Sequence, residues 1–228
     1  AALASGSRPT TVAATALTAE GEPDVARDEP EAGLQKRPRD LDLPPWLKGR
    51  YGTAVGRAVH ATLQTIDLAT GDGLAGAVAA QCDAEAIVGR EEEVAGLVRD
   101  ALGSPAVAAA AVGDHWREVY ACTPTPGGRL LEGYVDLLHR GPDGFVVIDY
   151  KTAATTDPAE LGRRTEGYRL QGAAYALAVA ATTGEPVDRV VFVYLTPGGA
   201  TERTIADLDA AVAEVRALVE AGAERVLG

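Results

Sequence analysis

Cysteine is scarce in this 228-residue sequence, which contains only Cys82 and Cys122. Two thiols cannot build a disulfide framework, a four-thiolate zinc site or the four-cysteine site of an iron–sulfur cluster. The sequence therefore predicts no iron–sulfur cluster and gives no reason to place the protein in an oxidising compartment. We expect it to be cytoplasmic.

Long apolar runs are also missing. The two longest, residues 106–112 and 173–181, are far shorter than the roughly 20 residues that a membrane-spanning helix needs, so we expect no membrane partner. The sequence has no initiator methionine, no secretory leader and no Gly-x-x-x-x-Gly-Lys-Ser/Thr phosphate loop. These absences predict a chain without a nucleotide-driven motor of its own, and they favour a piece of a longer protein.

Positive charge is in deficit, with 21 Lys and Arg against 33 Asp and Glu, a net charge of −12. Such a balance argues against a protein that binds nucleic acid over its whole surface. The balance reverses locally, because residues 34–57 carry six cations and two acids. A local basic contact therefore remains open.

The length predicts one sizeable domain, with an appendage at the N-terminus. Residues 20–31 combine six acids with glycine and proline, a composition that buries too little apolar surface to offset the entropy of ordering. We interpret residues 20–44 as a linker or mobile arm. The predicted division is a partly disordered arm over residues 1–44 and a folded domain over residues 45–228.

The hydrophobic pattern predicts helices, then a run of strands, then helix, hairpin and helix. Apolar residues recur at helical spacing over residues 53–69, with Thr53 as a plausible N-cap, and further helices are expected at 73–87, 90–102 and 105–112. Turn sequences then separate strands at 115–122, 128–139 and 144–151, which predicts an antiparallel meander. A long helix at 158–181, strands at 190–195 and 201–205 and a helix at 206–226 follow. The fold class is α/β, a central mixed sheet flanked by helices.

Two aspartates and a lysine lie in the second and third strands of the predicted meander. Alternation puts Asp149 and Lys151 on one face of the third strand. A hairpin that closes symmetrically over residues 142–143 places Asp136 directly opposite Asp149. The same alternation is expected to put four residues of the second strand on one face: Glu132, Tyr134, Asp136 and Leu138.

Two carboxylates opposed across a ladder repel each other unless a proton or a cation lies between them. A hard divalent cation such as Mg²⁺ or Mn²⁺ suits carboxylate oxygens and retained water. Glu118 reaches the same place if the first hairpin has the matching register. The reaction class expected for such a cluster is metal-assisted hydrolysis, with Lys151 stabilising developing negative charge.

A less specific interpretation is that Asp149 and Lys151 decorate a solvated surface and that Asp136 is a strand-end charge. Residues 145–148 are apolar on both faces of the strand, which favours a central strand. Because central strands seldom expose a charged pair, a functional site is the stronger interpretation.

Two helices carry further candidate residues. In the first helix, Gly56 and His60 are four residues apart, and His60 is either a metal ligand or a satisfied buried side chain. The long helix carries a polar and aromatic row that either contacts a phosphate backbone and bases or packs against the sheet. The members of this row are Arg164, Tyr168, Gln171 and Tyr175.

The candidates occur in a fixed order along the chain, and this order resembles the RecB-like nuclease domain of the PD-(D/E)xK superfamily. The likeness covers roughly residues 50–196, more than half of the chain. The residues that carry it are Gly56-x-x-x-His60, Glu118, Gly133-Tyr134-Val135-Asp136, Asp149-Tyr150-Lys151 and Gln171-x-x-x-Tyr175.

The resemblance implies a restriction-endonuclease-like core that cuts DNA with Mg²⁺ or Mn²⁺. It implies that His60, Asp136, Asp149 and the Tyr150 carbonyl hold metal and that Lys151 is the catalytic lysine. Glu118 becomes an acidic site residue, and Gln171 and Tyr175, with Tyr168 and Arg164 on the same face, line the DNA path.

Domains of this kind usually lie at the C-terminus of helicase-nucleases that process double-strand breaks, so the resemblance also implies a helicase partner in the same or an associated chain. Two rival hypotheses stay open. One is a nuclease-like module that grips DNA or a helicase without cutting. The other is a hydrolase of RNA or another phosphodiester, because the backbone chemistry is the same.

Overall fold

The computed structural model describes residues 11–17, 53–126 and 128–224. The predicted arm at residues 20–44 lies outside the described residues, as does most of the basic segment at 34–57. The described strands are β1 Thr11–Ala13, β2 His115–Pro124, β3 Leu130–Arg140, β4 Phe145–Thr152, β5 Val187–Thr196 and β6 Gly199–Thr204. The described α-helices are α1 Ala54–Thr65, α2 Leu74–Ala84, α3 Glu91–Leu102, α4 Pro105–Ala111, α5 Pro158–Thr183 and α6 Leu208–Glu224.

Each helix and strand predicted from the hydrophobic pattern is present, with ends shifted by a few residues. The sequence analysis missed β1 and the 3₁₀ helix Ala14–Leu17 that follows it. These seven residues lie within the segment predicted as an arm, and three residues are too few for a periodic pattern to be recognised.

The strands form one mixed sheet in the order β1-β3-β4-β5-β6, with β2 paired to β3. Strands β2, β3 and β4 form the predicted antiparallel meander because short turns join them. The β4 and β5 strands are parallel, and α5 provides the crossover between them. The α/β fold with a central mixed sheet is confirmed.

Helices cover both faces of this sheet, so β4 and β5 are apolar on both sides. On one face α5 and α6 pack over residues that include Val147, Val190 and Phe192. On the other face α1 to α4 pack over residues that include Ile148, Val191 and Val193. The site described below lies where β3 and β4 part, between α1 on one face and α5 on the other.

The alternation of β2 and β3 breaks at Glu118 and Asp136, which corrects one expectation. Val135 packs in the core on the α5 side, and so does Leu138, whereas Leu137 packs on the α1 side. The side chains of β3 therefore switch faces between positions 135 and 138, so Tyr134 and Leu138 lie on different faces of the sheet. Beside this change of face, in β2, Glu118 has a backbone φ of +50°.

The ends of α1 and α5 are fixed by capping. The hydroxyl of Thr53 accepts a hydrogen bond from the Gly56 amide, and the carboxylate of Asp157 accepts one from Ala159. The Thr53 N-cap agrees with the prediction from the sequence. Among the residues that the structure describes, no single helix is long and apolar enough to cross a membrane; only α3 and α4 taken together, bent by 76° at their junction, reach that length and composition.

Candidate active site

Asp136 lies at the point where β3 and β4 separate. The regular pairing between these strands ends at Leu137 and Ile148, in the register predicted from the hairpin turn. One step further, the Tyr150 amide donates a hydrogen bond of 2.7 Å to Asp136 Oδ2 instead of to a main-chain carbonyl. The carboxylate thus replaces a backbone acceptor, which fixes its position at the opening of the sheet.

Asp149 is the matching position of β4, and its side chain is only 5% exposed. Lys151 Nζ lies 2.8 Å from Asp149 Oδ2, so the two form a buried ion pair, although its angle is not that of an ordinary hydrogen bond. The Asp136 carboxylate adjoins this pair, so one ammonium faces two carboxylates. Such an excess of negative charge in a buried place is expected at a site that binds a cation.

Lys151 is also contacted by residues of α5. Its Nζ lies 3.3 Å from Gln171 Oε1, and the Gln171 amide donates in turn to the Tyr175 hydroxyl at 3.0 Å. The ring of Tyr168 covers the ammonium group, with 4.1 Å between Nζ and the ring centre. Gln171 and Tyr175 are each 4% exposed, so their polar groups face Lys151 and not the surface.

Gly133 explains how β3 and α5 come so close together. A Cβ atom at this position would lie 2.5 Å from Cε1 of Tyr175 and 3.2 Å from the Cβ of Ala14. Only glycine leaves room for the Tyr175 ring, which carries the hydrogen bond to Gln171. The two motifs Gly133-Tyr134-Val135-Asp136 and Gln171-x-x-x-Tyr175 therefore meet, because Gly133 of the first packs against Tyr175 of the second.

His60 reaches the site from α1, on the other face of the sheet. Its Nδ1 lies 3.4 Å from Asp136 Oδ1, and its side chain is 31% exposed. Gly56, one turn earlier, lets α1 approach the end of β4, because a Cβ atom there would lie 2.9 Å from Thr152 Oγ1. Gly56 thus allows the close approach of α1 to β4, and His60 makes the contact with Asp136.

Arg117 fixes the other end of α1 and was not identified from the sequence. Its guanidinium donates to the carbonyl oxygens of Gln64 and Ile66 at 3.0 and 2.6 Å. Arginine satisfies the free carbonyls at a helix C-terminus in this way and complements the helix dipole. A cation in a strand next to the acidic Glu118 was the available signal, but nothing in the sequence connects it to α1.

Glu118 lies opposite Asp136 in the register of β2 and β3, since the flanking pairs are Arg117 with Leu137 and Val119 with Val135. This agrees with the register expected for the first hairpin. The pair itself is irregular, because the positive φ of Glu118 turns its peptide out of the ladder. Glu118, Asp136 and Asp149 therefore occupy one level across three neighbouring strands. A non-glycine residue held at positive φ stores strain, and such residues cluster at functional sites.

The two aspartates differ in their electrostatic environment. Burial raises the pKa of Asp149, the neighbouring Asp136 carboxylate adds to the increase, and the Lys151 ammonium offsets only part of it. Burial works against ionisation of Asp136 too, but His60, the Tyr150 amide and Lys151 together lower the pKa of this carboxyl. The pKa of His60 is raised, since the carboxylates of Asp136 and Asp149 outweigh its burial. Without a further cation, Asp149 is the carboxylate that is harder to keep ionised.

The donor set suits a hard divalent cation. Among the described residues, no three His, Cys, Asp or Glu side chains converge closely enough to hold an ion by themselves. Mg²⁺ typically uses one or two protein carboxylates and completes its shell with water and substrate phosphate oxygens. Asp136 and Asp149 fit that arrangement, and His60 adjoins Asp136. The metal-binding role of the Tyr150 carbonyl stays a prediction.

The structure brings most of the sequence-predicted site residues to one place. Asp136 is the common neighbour of His60, Asp149 and Glu118, and Lys151 is the common neighbour of Asp149, Gln171 and Tyr168. Arg164 lies a turn before Tyr168 on α5, where it pairs with Glu160 at 3.1 Å. The DNA-binding role assigned to Gln171, Tyr175, Tyr168 and Arg164 stays a prediction.

Comparison of this chain with known proteins identifies its family. The model of the PD-(D/E)XK nuclease superfamily matches residues 36–228. An ATP-dependent helicase/nuclease protein of Desulforudis audaxviator (strain MP104C) is 31% identical over 201 residues, which cover 79% of this chain but 16% of that protein. A solved structure described as "Crystal structure of SSO0001" is 20% identical, with 57% of this chain and 68% of that chain covered and a TM-score of 0.34, an overlap that supports no conclusion. The family match covers most of the chain and is joined by a relative above 30% identity: the chain belongs to the PD-(D/E)XK nuclease superfamily.

Proposed function

We propose that this chain is a DNA nuclease domain that depends on Mg²⁺ or Mn²⁺ and hydrolyses phosphodiester bonds. Members of the superfamily are nucleases that generally use divalent metals. The observation that carries the proposal is the cluster of Asp136, Asp149 and Lys151 at the opening between β3 and β4, where two neighbouring carboxylates share one ammonium.

Each residue of the cluster has a role in this proposal. Asp136 and Asp149, with the Tyr150 carbonyl, hold the cation, and His60 orients Asp136 or joins the ligands. A divalent cation at this point lowers the pKa of water and neutralises charge on the phosphate. Lys151 stabilises the negative charge that develops on the phosphate during in-line attack, and it suits this role because an ammonium is a compact point charge. The expected products carry 5′-phosphate and 3′-hydroxyl ends.

The similarity to a helicase/nuclease protein supports a wider proposal. The chain corresponds to a small part of a helicase/nuclease protein. We infer that it works as the exonuclease domain of a helicase-nuclease, C-terminal to the motor or assembled with it, in the processing of double-strand breaks for recombinational repair. The acidic balance of the chain fits this arrangement, since a motor domain would supply most of the phosphate contacts.

Cleavage assays test the proposal directly. The wild-type chain is incubated with end-labelled single-stranded and duplex DNA in Mg²⁺, in Mn²⁺ and in EDTA, beside Asp149→Asn and the control Asp188→Asn on the outer end of β5. We expect cleavage only with a divalent ion, a loss of about 10²- to 10³-fold in Asp149→Asn and no loss in the control. Cutting in EDTA, or full activity of Asp149→Asn, would contradict the proposed site.

The same assay distinguishes an exonuclease from an endonuclease, and it distinguishes the proposed function from its two rival hypotheses. Covalently closed circular single strands resist an exonuclease and are cut by an endonuclease. Salt-dependent DNA binding without cleavage in either metal favours the non-cleaving module, and preferential cutting of RNA favours the third hypothesis.

A further inference from the structure

An exposed pair of tyrosines lies beside the carboxylates and has no task in the site described above. Tyr120 of β2 and Tyr134 of β3 are direct cross-strand partners. Their ring centres are 5.2 Å apart with the planes inclined by 49°, and the two residues are 45% and 40% exposed. Single exposed apolar side chains are common, but adjoining aromatic rings form a patch, and tyrosine is enriched at binding surfaces.

The pair belongs to the open face of β2 and β3. Val119, Ala121, Leu131 and Val135 pack on the α5 side, and alternation therefore turns Tyr120 and Tyr134 to the opposite side, on which α1 lies. In each strand the tyrosine is two residues from the acidic position, Glu118 or Asp136. At about 3.3 Å per residue, the rings lie about 7 Å along the strands from the carboxylates. This is about the length of one nucleotide in a stretched single strand.

The charges around the two rings determine which part of a ligand the rings can bind. The Tyr120 hydroxyl donates to Glu132 at 2.5 Å, which fixes the ring; this hydrogen bond also raises the pKa of Tyr120, so the ring stays uncharged. The nearby charges of Glu118 and Glu132 are negative and repel phosphate. A nucleotide can therefore be attracted here through its base and not through its backbone.

We propose that Tyr120 and Tyr134 form a stacking platform for the bases of single-stranded DNA, which sets the nucleotide next to the scissile phosphate at the Asp136 and Asp149 cluster. The inference rests on the proposed nuclease function and deepens it by naming the substrate class. Stacking on aromatic rings requires unpaired bases and tolerates any sequence. The platform thus favours single strands over duplex and does not discriminate among bases.

Steady-state cleavage of an unstructured deoxythymidine oligonucleotide tests this platform. We expect Tyr120→Leu and Tyr134→Leu each to raise KM for the single strand at least about fivefold with kcat within about twofold, because loss of one stacked base weakens binding by that order. Tyr120→Phe and Tyr134→Phe keep the ring and should match wild type. Trp116→Leu is the matched control, since Trp116 is an exposed aromatic of β2 that contacts Phe145 on the other side of the break at Glu118.

A second substrate sharpens the result. An oligonucleotide with one abasic site next to the cleaved linkage should show the raised KM with wild type and no further increase with the Leu variants. Equal KM values for intact and abasic strands, or unchanged KM in both Leu variants, would overturn the platform and leave the tyrosines as a cross-strand pair that only stabilises the sheet.

Failure of the two proposals is distinguishable. If wild type cuts neither single strands nor duplex with Mg²⁺ or Mn²⁺, the nuclease function fails. The platform is then tested by fluorescence anisotropy with the same oligonucleotide, where lower affinity of the Leu variants supports it and equal affinity overturns it. Should a Leu variant fail to fold, Tyr120→Trp replaces it. Quenching of the Trp fluorescence by the intact but not by the abasic strand supports stacking, and equal quenching excludes it.

Discussion

Lys151 lies between a carboxylate and an aromatic ring, with its Nζ 2.8 Å from Asp149 Oδ2 and 4.1 Å from the centre of the Tyr168 ring. It is also the lone lysine among the described residues, since the chain has three lysines, at positions 36, 48 and 151. The ring stabilises the ammonium by a cation–π interaction. We therefore expect Tyr168 to influence the proposed reaction through Lys151.

We expect Tyr168→Leu to lower kcat by about 2- to 30-fold, which corresponds to a cation–π interaction of about 0.5–2 kcal/mol. Tyr168→Phe keeps the aromatic face and should stay within about twofold of wild type. The measurement is steady-state cleavage of one single-stranded substrate, with the melting temperature of each variant as the control for folding. A rise in KM with kcat unchanged would instead support the DNA-binding prediction for Tyr168. Equal loss in Phe and Leu would exclude the cation–π role.

Gly133 is expected to be as sensitive as a catalytic residue although it has no side chain. In Gly133→Ala, the new Cβ would lie 2.5 Å from the Tyr175 ring, so either the ring or the strand must shift. We expect a destabilisation of about 1–3 kcal/mol, typical of overpacking, and a drop in cleavage of at least about tenfold as Gln171 loses its hydrogen bond to Tyr175.

The matched control is Gly96→Ala in the interior of α3, where a Cβ would meet nothing within 4 Å. This variant should be more stable than wild type by about 0.5–1 kcal/mol and fully active. Urea unfolding and initial cleavage rates of both variants provide the comparison. If Gly133→Ala were as stable and active as Gly96→Ala, the contact between Gly133 and Tyr175 would be needed neither for stability nor for cleavage.

The sequence predicted which site residues lie opposite each other in neighbouring strands better than it predicted which face of the sheet they occupy. Turn residues predicted the register of the second hairpin, which places Asp136 opposite Asp149, whereas Glu118 was expected at the same level only if the first hairpin had the matching register. Strict alternation then failed at Asp136 of β3, opposite which Glu118 of β2 has a left-handed backbone. No propensity predicts a glutamate in that conformation.

The roles of the α5 residues show a second limit. The spacing of Arg164, Tyr168, Gln171 and Tyr175 correctly put them on one face of a helix, but periodicity does not say which group that face meets. The structure turns Gln171 and Tyr175 toward Lys151, at the closeness that Gly133 permits. Likewise, the contact between Arg117 and the end of α1 joins residues about 50 positions apart, which no local pattern reveals.

Glu118 should show a trade-off between stability and activity. Glu118→Gly and Glu118→Ala both remove the carboxylate, but only glycine adopts a φ of +50° without strain. We expect the Gly variant to be more stable than the Ala variant by about 1 kcal/mol, while both cleave DNA at least about tenfold more slowly than wild type.

Ala86 provides the control, because it is the other described non-glycine residue with positive φ, at +57°, and it lies at the exposed end of α2. Ala86→Gly should gain stability by the same order without any change in cleavage. Denaturant titrations give the stabilities. Wild-type activity in Glu118→Gly would remove Glu118 from the site and leave its backbone strain without a function.

His60 makes the stability of the metal-free protein depend on pH. Its pKa is raised above the ordinary value of about 6.5, so the folded state holds its proton more tightly than the unfolded chain does. The resulting stabilisation is fully present below the unfolded pKa and is lost as the pH rises through the folded pKa. In EDTA, wild type should therefore exceed His60→Asn in free energy of unfolding near pH 6, and the difference should shrink toward about pH 9.

His139 supplies a control of opposite sign. Burial lowers its pKa, so the stability linked to its neutral form is present above the unfolded pKa and is lost as the pH falls through the folded one. The difference between wild type and His139→Gln should grow as the pH rises from about 6, while the difference for His60→Asn shrinks. Chemical denaturation at four or five pH values in EDTA measures both. A pH-independent difference for His60→Asn would mean that the proton of His60 is not shared with Asp136, and the ion pair at 3.4 Å would then have no energetic role.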